Sequence, residues 1–455
     1  MDLLKVSHGQ PLAHKLQRQA AAILSTPLYR NGYALIMSSV ATSGLGLLYW
    51  TLAARSLNPE LLGLSSAVIS AVGFLAGVSQ LSLNGVLLRF IPRAGSRTAR
   101  LVAVSYIISI LLALLACLVF LWGANLWAPS LQAFFDRPWK LVVFTLATVS
   151  WSIFVLQDSA FAGLRQSKWV PLENTLYALA KIGLLIAFIS LMPLYGVFAS
   201  WTIPVFLSLI PVNWLIFKRL IPRHIASSQN VEQPFLLRRI LEFIGGNYTA
   251  SLFFLAYTML LPILVTEVAG PEANAHFYLP WTIMSSLQLV SVNMSMSLTV
   301  EAAHEQDKMD VYGRKVLIHM LKILSPIVLV ILVGAPYLLR IFGKNYASEG
   351  AALLRLLALG LLPHLLISLS IGLARVKNRA RSVLFIQSTL CIMILGLSYL
   401  LLPIFGVTGV GIAWLGSYTF VAGILLITQL HHLLPLHNPR SIPAGETKPE
   451  RVTGP

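Results

Sequence analysis

Charged residues are scarce in this sequence. Asp, Glu, Lys and Arg together make up 11% of the 455 residues, whereas soluble domains usually carry about 25%, so the composition excludes an ordinary cytosolic enzyme. Apolar residues make up 57% of the chain, with a mean hydropathy of +0.78. They form repeated runs of about 20 residues, the length of an α-helix that crosses a hydrocarbon core. The shorter alternating segments of a membrane β-barrel are missing. The sequence therefore predicts an all-α polytopic membrane protein.

Cysteine is almost absent, and histidine is not clustered. The two cysteines, Cys117 and Cys391, both lie inside apolar runs, where a thiol behaves as a small hydrophobic group. The ten histidines form no pair at metal-ligand spacing within a predicted span. We therefore predict no disulfide, no metal site and no cofactor.

Catalytic motifs are also missing. The sequence has no GxxxxGK[ST] phosphate-binding loop, no HExxH and no GxSxG, which excludes ATP-driven transport by this chain alone. A membrane-bound glycan polymerase or ligase usually has a long, charged outer loop. Here the longest loop on that side, about 127–139, holds only Asp136 and Arg137 as charged residues before the next span. We predict that the protein is not an enzyme, and we keep a glycan polymerase or ligase only as a less favoured alternative.

Twelve membrane spans are predicted from the apolar runs. The six spans of the first half lie at about 31–54, 64–88, 101–126, 140–162, 172–192 and 196–217. The six spans of the second half lie at about 241–265, 276–300, 316–339, 351–373, 382–402 and 407–430.

These spans predict a fold of two six-helix bundles, 31–217 and 241–430, joined by a polar linker at 218–240. The N-terminal segment 1–30 lacks the compact apolar core and cleavage site of a signal peptide. The tail at 431–455 is polar and rich in Pro and Gly, and we predict that it is disordered.

The net charge of +17 is explained by membrane orientation rather than by nucleic acid. Of the 33 Lys and Arg residues, 25 fall in the connections on one side and only 5 on the other. The other three, Lys181, Lys322 and Arg355, fall within spans. Because Lys and Arg collect in cytoplasmic loops, we expect the termini and the 218–240 linker to lie in the cytoplasm. No nucleic-acid partner is expected.

Turn residues recur at a nearly constant offset, which indicates an internal repeat. The matching pairs, at offsets of 207 to 212, are Pro59 with Pro271, Pro193 and Gly196 with Pro403 and Gly406, Arg165 with Arg375, and Pro129 with Pro336. Since six spans separate the copies, equivalent spans run in the same direction and the two halves are parallel repeats. In transporters built this way the substrate site lies between the halves, near mid-membrane. The repeat favours a transporter.

Charged residues inside spans are functional candidates because each costs at least about 2.5 kcal/mol to insert. Lys181 lies near the middle of span five, and Asp158 lies about two turns inside span four. The two spans form a tight hairpin, so we predict an ion pair between these residues, serving either helix packing or transport. Arg89 ends span two and is either a membrane anchor or a cavity-facing cation. Glu173 opens span five and is interpreted as a helix cap.

Polar amides occur at matching places in the two halves. Gln80 and Asn84 lie in span two, and Gln288 and Asn293 lie in the equivalent span eight. Asn247 follows the Gly245–Gly246 pair near the start of span seven, where the glycines permit a bend or close helix packing. These amides either line a wet central cavity or form hydrogen bonds between helices.

Three segments resemble a known family. AARSLNPELLGLSSAV (53–68) resembles its Arg-x-Leu-x-Pro-x-x-x-Gly turn after span one, LLPIFGVTGVGIAWL (401–415) resembles its entry to span twelve, and GLARVKNRARS (372–382) is similar to its basic loop before span eleven. With the two halves, they resemble the multidrug/oligosaccharidyl-lipid/polysaccharide (MOP) transporter superfamily. Within it, they are most similar to the polysaccharide biosynthesis branch of O-antigen flippase-like proteins. The resemblance covers about residues 28–430.

The resemblance implies a MATE-like fold and the flipping of a polyprenyl-pyrophosphate-linked oligosaccharide across a bacterial inner membrane, for O-antigen or other surface polysaccharide. The two halves would alternate access, driven by Na⁺ or H⁺. The candidate substrate-binding residues are Lys181, Arg89, Asn84, Asn247 and Asn293, and Asp158 is the candidate ion-coupling residue. The implied partners are the lipid-linked oligosaccharide, membrane lipids, and the glycan polymerase or glycosyltransferases of the same pathway.

Two other transporter classes remain as alternatives. A cation-coupled drug exporter of the same superfamily would need acidic residues deep in the cavity to bind cationic drugs, and apart from Asp158 the spans lack them. A major-facilitator porter has the same span count, but its Asp-Arg-x-Gly-Arg loop after span two is missing.

Overall fold

The computed structural model describes residues 27–193, 195–227, 237–304, 309–377 and 379–433. Helices dominate these ranges, and none of the residues in them forms a β-strand. The helices of the first half are α1 Pro27–Ser56, α2 Pro59–Ser79, α3 Leu83–Phe90, α4 Thr98–Trp127, α5 Pro138–Gly163, α6 Trp169–Phe188, α7 Gly196–Leu215 and α8 Ile221–Ser227. The helices of the second half are α9 Leu237–Ala269, α10 Pro271–His304, α11 Met309–Arg340, α12 Lys344–Val376, α13 Ala380–Phe405 and α14 Val407–Leu433.

These helices form six spans in each half, and they confirm the predicted all-α fold of two parallel six-helix repeats. In the first half, α2 and α3 together form the second span, and α7 continues into α8 through a π-helical turn at Ile216–Leu220. Within the described residues, ten helices are long and apolar enough to cross a membrane. Helices α1 and α10, with 30 and 34 residues, complete the twelve.

The repeated prolines begin equivalent helices. Pro59 is the first residue of α2, and Pro271 is the first residue of α10. A missing N–H costs nothing at this position, because the first turn of a helix has no internal acceptor for it. The side chain of Asn58 caps α2 by accepting a hydrogen bond from the Leu61 N–H at 2.9 Å. Before Pro271, Gly270 supplies the left-handed turn, with φ +91°.

The segment between the halves is partly helical. The first half continues to Ser227 at the end of α8, and α9 begins at Leu237. Both helices therefore extend into the predicted linker at 218–240, and the intervening residues 228–236 lie outside the described ranges, as do the N-terminal residues 1–26 and the tail from 434 onward.

The outer surface of the helices is apolar. Large hydrophobic side chains point outward on many helices, and the indole of Trp122 on α4 is 86% exposed. A soluble protein rarely leaves so much apolar surface uncovered. This face is suited to contact with the hydrocarbon of the bilayer.

The two halves pack together through α1 and α2 on one side and α9 and α10 on the other. At one end, which we call the closed end, α2 crosses α10 at Gly63. A Cβ atom at Gly63 would lie 1.7 Å from the carbonyl oxygen of Pro271. Next to this contact, Asn274 Nδ2 donates hydrogen bonds to the Gly63 carbonyl at 2.8 Å and to Ser66 Oγ at 3.0 Å.

Two more hydrogen bonds join the halves at the closed end. Arg55 Nε donates to the carbonyl oxygen of Ile341 at 2.7 Å. The Ser130 N–H donates to the Glu267 carboxylate, at 3.1 and 3.2 Å from its two oxygens. Since α2 begins at the closed end and α9 finishes there, the last turn of α2 and the middle of α9 lie toward the opposite side of the molecule.

Candidate functional site

A cleft of about 410 Å³ lies between the halves, on the side away from the closed end. Its walls come from the end of α2, the start of α3, the middle of α9 and the last turn of α12. The polar side chains that line it are Gln80, Ser82, Asn84, Tyr248, Ser251 and Arg375. Both halves contribute to this lining, so the cleft changes shape whenever the halves move relative to each other.

The second span is broken at the cleft, which differs from the continuous span predicted at 64–88. Leu81 and Ser82 have φ values of +45° and +59°, in the left-handed region that costs about 1–2 kcal/mol per non-glycine residue. The break separates α2 from α3, and it places Asn84 beside Gln80. Asn84 Nδ2 donates to Gln80 Oε1 at 2.8 Å, and Asn84 Oδ1 is buried with no partner among the described groups.

The cleft is electropositive. The start of α3, at Ser82 and Asn84, lines it, and the N-terminus of a helix carries a partial positive charge. Arg375, in the last turn of α12, faces the same space from the other half. Within the described part of the chain, no carboxylate forms an ion pair with Arg375. An anionic group in the cleft would be stabilised from both halves.

An apolar groove of about 660 Å³ adjoins the cleft. It lies between α2, α4 and α9, and apart from Glu267 and Tyr248 its lining is almost entirely apolar, including Phe74, Leu115 and Leu260. Tyr248 lines both the groove and the cleft. Its hydroxyl donates to the Val78 carbonyl of the other half at 2.8 Å, so this side chain is fixed where the polar and apolar spaces adjoin.

A second, smaller pocket of about 210 Å³ extends from the cleft into the second half and shares Arg375 with it. There Tyr257 Oη donates to Gln387 Oε1 at 3.3 Å and lies 3.2 Å from Tyr418 Oη. The ring of His364 stacks obliquely on Tyr418, with 5.4 Å between centroids. The sequence analysis missed this cluster, although isolated polar residues such as His364 and Gln387 inside apolar spans are a recognised signal.

Lys181 lies inside the first half between two aromatic rings. Its Nζ is 4.8 Å from the ring centroid of Tyr49 and 5.1 Å from that of Tyr177, distances at which a cation is attracted to a ring face. The Tyr49 hydroxyl is fixed in turn, because it donates to the Val197 carbonyl at 2.8 Å.

The predicted ion pair between Lys181 and Asp158 is wrong. Asp158 instead accepts from Asn174 Nδ2, at 3.4 and 3.3 Å from its two oxygens. In the α5–α6 hairpin, residues equally far from the turn face each other, and the turn lies near Gln166. Asp158 therefore meets Asn174, whereas Lys181 is seven residues further on, about 10 Å along the helix axis.

The capping role predicted for Glu173 is also wrong. Helix α6 begins at Trp169, its N-cap residue Lys168 makes no side-chain capping bond, and the first turn contains no acidic residue. Glu173 lies beyond that turn, where it is only 7% exposed. Neither carboxylate oxygen has a hydrogen-bond partner among the residues that the structure describes.

The other predicted residues have different positions. Asn84 lines the cleft, whereas Arg89, in the last turn of α3, is exposed and is not part of the cleft lining. Its guanidinium lies 5.9 Å from the ring centroid of Phe90. The side chains of Asn247 and Asn293 lie outside the described part of the structure. Among the predicted substrate-binding residues whose side chains the structure describes, Asn84 is thus the one that lines the cleft.

Two parallel six-helix halves that enclose a cleft are the architecture of a membrane transporter. The sequence matches the polysaccharide biosynthesis protein family over residues 28–298, which is more than half of the chain. The protein belongs to this family, within the MOP superfamily of exporters. No curated protein matches the chain significantly.

Solved structures of MATE transporters share the fold. A multidrug resistance MATE transporter of the MOP superfamily, in an inward-facing conformation, has 16% identity and a TM-score of 0.60, with 92% of this chain and 98% of that chain covered. A MATE transporter in complex with MaD3S has 14% identity and a TM-score of 0.64, with 90% and 95% covered. A variant of the Vibrio cholerae MATE transporter VcmN has 13% identity and a TM-score of 0.60, with 91% and 98% covered. At these identities the likeness establishes the fold alone.

Proposed function

We propose that this protein moves a polyprenyl-pyrophosphate-linked oligosaccharide across a bacterial inner membrane, for the synthesis of O-antigen, lipopolysaccharide or a related surface polysaccharide. The observation that carries the proposal is the direct contact between an electropositive cleft and an apolar groove at Tyr248. Such a substrate has an anionic head and a long apolar tail. The cleft provides a cation and a helix N-terminus for the head, and the groove provides an apolar surface for the tail.

The pyrophosphate would bind between Arg375 and the start of α3. Arg375 can donate two hydrogen bonds to one phosphate, and Asn84 has a buried oxygen without a partner that can accept from a sugar hydroxyl. Lys181, Arg89, Asn247 and Asn293 remain further candidates for substrate contact at other stages of transport, and Asp158 remains the candidate for ion coupling by H⁺ or Na⁺.

Transport would proceed by alternating access. The Lys and Arg distribution supports a cytoplasmic location for the termini and the cleft, and the closed end would then face outward. Breaking the contacts at Gly63, Asn274 and Arg55 would let the halves rock and present the head group to the outside. The lipid-linked oligosaccharide would come from glycosyltransferases on the inner side, and a glycan polymerase would use it on the outer side.

Drug export is the second candidate, because the structural relatives include a multidrug resistance transporter. A carboxylate partner would stabilise a cationic drug in the cleft. The lining of the cleft includes Arg375 and no acidic side chain among the described residues. This charge favours an anionic substrate.

The test is lipid flipping in reconstituted vesicles, with a fluorescent polyprenyl-pyrophosphate sugar and, separately, a cationic dye. Wild-type protein should flip the lipid and should not transport the dye. Arg375→Glu should abolish flipping, whereas Arg165→Glu, at the equivalent exposed position of the first half, should not. Dye export without lipid flipping would favour drug export over the proposed function. Equal effects of Arg375→Glu and Arg165→Glu would show that the cleft does not bind the substrate.

A further inference from the structure

The smaller pocket, which extends from the cleft into the second half, has an unpartnered polar group in its wall. Its volume is about 210 Å³. His364 on α12 lines it and is only 6% exposed, and its Nδ1 has no hydrogen-bond partner among the described residues. Buried polar atoms are normally paired, and leaving one unpaired is unfavourable. A ligand that formed a hydrogen bond with this nitrogen would remove that cost.

Hydrogen bonds orient the other polar groups of the smaller pocket. Tyr257 Oη donates to Gln387 Oε1 at 3.3 Å and lies 3.2 Å from Tyr418 Oη. All three side chains are buried and line the pocket. Because Gln387 uses its oxygen to accept from Tyr257, its Nε2 remains as a donor, and no described residue accepts from it. The pocket therefore offers an oriented amide donor at its wall.

The rest of the wall is largely apolar, and the space is small. Ile367, Ile371 and Leu390 line it, and Phe254, which is 42% exposed, lines both the pocket and the cleft. A few oriented polar groups in an apolar wall are the usual form of a site for a small organic ligand. Since drug-sized ligands occupy pockets of about 300–1,000 Å³, this pocket has room for a single ring and not for an oligosaccharide.

The equivalent place in the first half is filled by aromatic side chains. At the offset of 210 found for the repeated turn residues, Phe154 corresponds to His364. At the same offset, Tyr177 corresponds to Gln387. The ring of Phe154 is 3% exposed and lies 5.3 Å from that of Tyr177 and 5.4 Å from that of Trp151. Because both halves have the same fold, the fold itself does not require polar groups at this place.

The smaller pocket adjoins the place proposed for the pyrophosphate. Ser251, Phe254 and Arg375 line both the pocket and the cleft. In a polyprenyl-pyrophosphate glycan, the first sugar is bonded directly to a phosphate oxygen. A phosphate held by Arg375 would therefore keep this sugar within one linkage of the pocket, and the remaining sugars would extend through the cleft.

We propose that the smaller pocket is the specificity site for the sugar next to the pyrophosphate, an assignment that rests on the proposed function, and that it selects a sugar with an acetamido group. Gln387 Nε2 donates to the acetamido carbonyl, and the methyl group packs against Ile367 and Ile371. A ring hydroxyl, which can donate or accept, supplies the missing partner of His364 Nδ1. A hexose with a hydroxyl in place of the acetamido group would bury that hydroxyl against apolar side chains.

Binding of short-chain lipids tests the site without transport. Farnesyl-pyrophosphoryl-N-acetylglucosamine and farnesyl-pyrophosphoryl-glucose differ only in the acetamido group. The full-length protein in nanodiscs is titrated with each lipid, and the affinity is measured by calorimetry. The acetamido lipid should bind about tenfold more tightly, as expected for one added hydrogen bond and one buried methyl group.

Two substitutions should remove this preference. Gln387→Leu removes the amide donor, and Tyr257 keeps Tyr418 as a partner, so the affinity for the acetamido lipid should fall to that for the glucose lipid. His364→Phe introduces the residue of the first half and should fill the pocket. Gln157→Leu is the matched control, because it removes a buried amide that lines neither the cleft nor the pocket, and it should keep the tenfold preference. Melting temperatures check that each variant is folded, and either folded pocket variant suffices for the test.

The outcomes separate the specificity site from the proposed function. Equal affinity of the two lipids for the wild type would overturn the site and leave the proposed function intact, as would a preference that persists in Gln387→Leu and His364→Phe. Binding of neither lipid would contradict the proposed function, and the specificity site with it. Arg375→Glu should weaken both lipids equally, because both carry the pyrophosphate, and a loss confined to the acetamido lipid would contradict the division between head-group binding and sugar selection.

Discussion

Gly63 and Pro271 approach each other so closely that no side chain fits between them. A Cβ atom on Gly63 would lie 1.7 Å from the Pro271 oxygen and 3.0 Å from the Ala275 nitrogen. Both obstacles are backbone atoms, so no rotamer change relieves the overlap. The contact therefore requires glycine, and it holds only while the closed end is closed.

Gly63→Ala should prevent closure of this end. The helices α2 and α10 would have to separate, which shifts the population toward conformations in which the closed end is open. Glu60 and Glu349 are exposed sites at the closed end of the two halves. The distance between spin labels on Glu60→Cys and Glu349→Cys, measured by pulsed electron paramagnetic resonance, should be longer in Gly63→Ala. Gly396→Ala is the matched control, because a Cβ there meets nothing within 4 Å. An unchanged distance in Gly63→Ala would show that the start of α10 shifts locally to accommodate the added methyl group.

Asn274→Ala should weaken the same end without a steric clash. The substitution removes the donor that Asn274 provides to the Gly63 carbonyl and to the Ser66 hydroxyl. Since Ser66 still donates to the Gly63 carbonyl, the expected loss is about 0.5–1.5 kcal/mol for each hydrogen bond. The same spin-label pair should show a mixture of short and long distances. Thr258→Ala removes a hydrogen bond that stays within its own helix, and it should leave the distances unaltered.

The break in the second span predicts which substitutions at Ser82 are destabilising. Its φ of +59° is accessible to glycine, whereas a β-branched residue there costs about 1–2 kcal/mol more. Ser82→Gly should keep the melting temperature of the purified protein, and Ser82→Val should lower it. Ser388→Val, on the exposed face of α13, should have little effect. Equal melting temperatures for the two Ser82 variants would mean that the break is not needed for the native fold.

Lys181 should act through its charge between two aromatic rings. Lys181→Ala is expected to abolish export of the surface glycan at unchanged protein abundance, and Lys181→Arg should retain it, since Arg also binds ring faces. Abundance is measured by immunoblot and export by surface glycan staining. Normal glycan in Lys181→Ala would exclude Lys181 from the transport mechanism.

Exchanging Asp158 and Lys181 should not rescue the single substitutions. The hydrogen bond of Asp158 goes to Asn174, and Lys181 is about 10 Å further along α6. The exchange would place an acid between Tyr49 and Tyr177 and a cation beside Asn174. Surface glycan restored by the double exchange, and by neither single variant, would demonstrate a contact between the two residues at some stage of transport.

The architecture was predictable because it follows from long, redundant patterns. Twelve apolar runs define the spans, and the offset between Pro59 and Pro271 marks two equivalent helix starts. The site was less predictable. Gln80, Leu81 and Ser82 include neither glycine nor proline, so none of these residues signals an interruption between α2 and α3. Apolar periodicity therefore joins α2 and α3 into one continuous span.

The pairing of charges failed for a similar reason. Asp158 and Lys181 have similar depths in adjacent spans, but contact in a hairpin depends on distance from the turn, and this distance selects Asn174. The burial of Glu173 was missed because an acid near a helix start is usually a cap. In both cases the geometry between helices determined the outcome.

Four of the hydrogen bonds between the halves have one property in common. Arg55, Asn274, Glu267 and Tyr248 each bind a backbone group of the opposite half, at Ile341, Gly63, Ser130 and Val78 respectively. Every residue has a backbone carbonyl, and every residue except proline has a backbone N–H. Except at Gly63, where only glycine fits, substitutions on the receiving side can therefore accumulate during evolution without compensating changes in the partner. Pairwise co-variation across this interface should then be weak even where the contact itself persists.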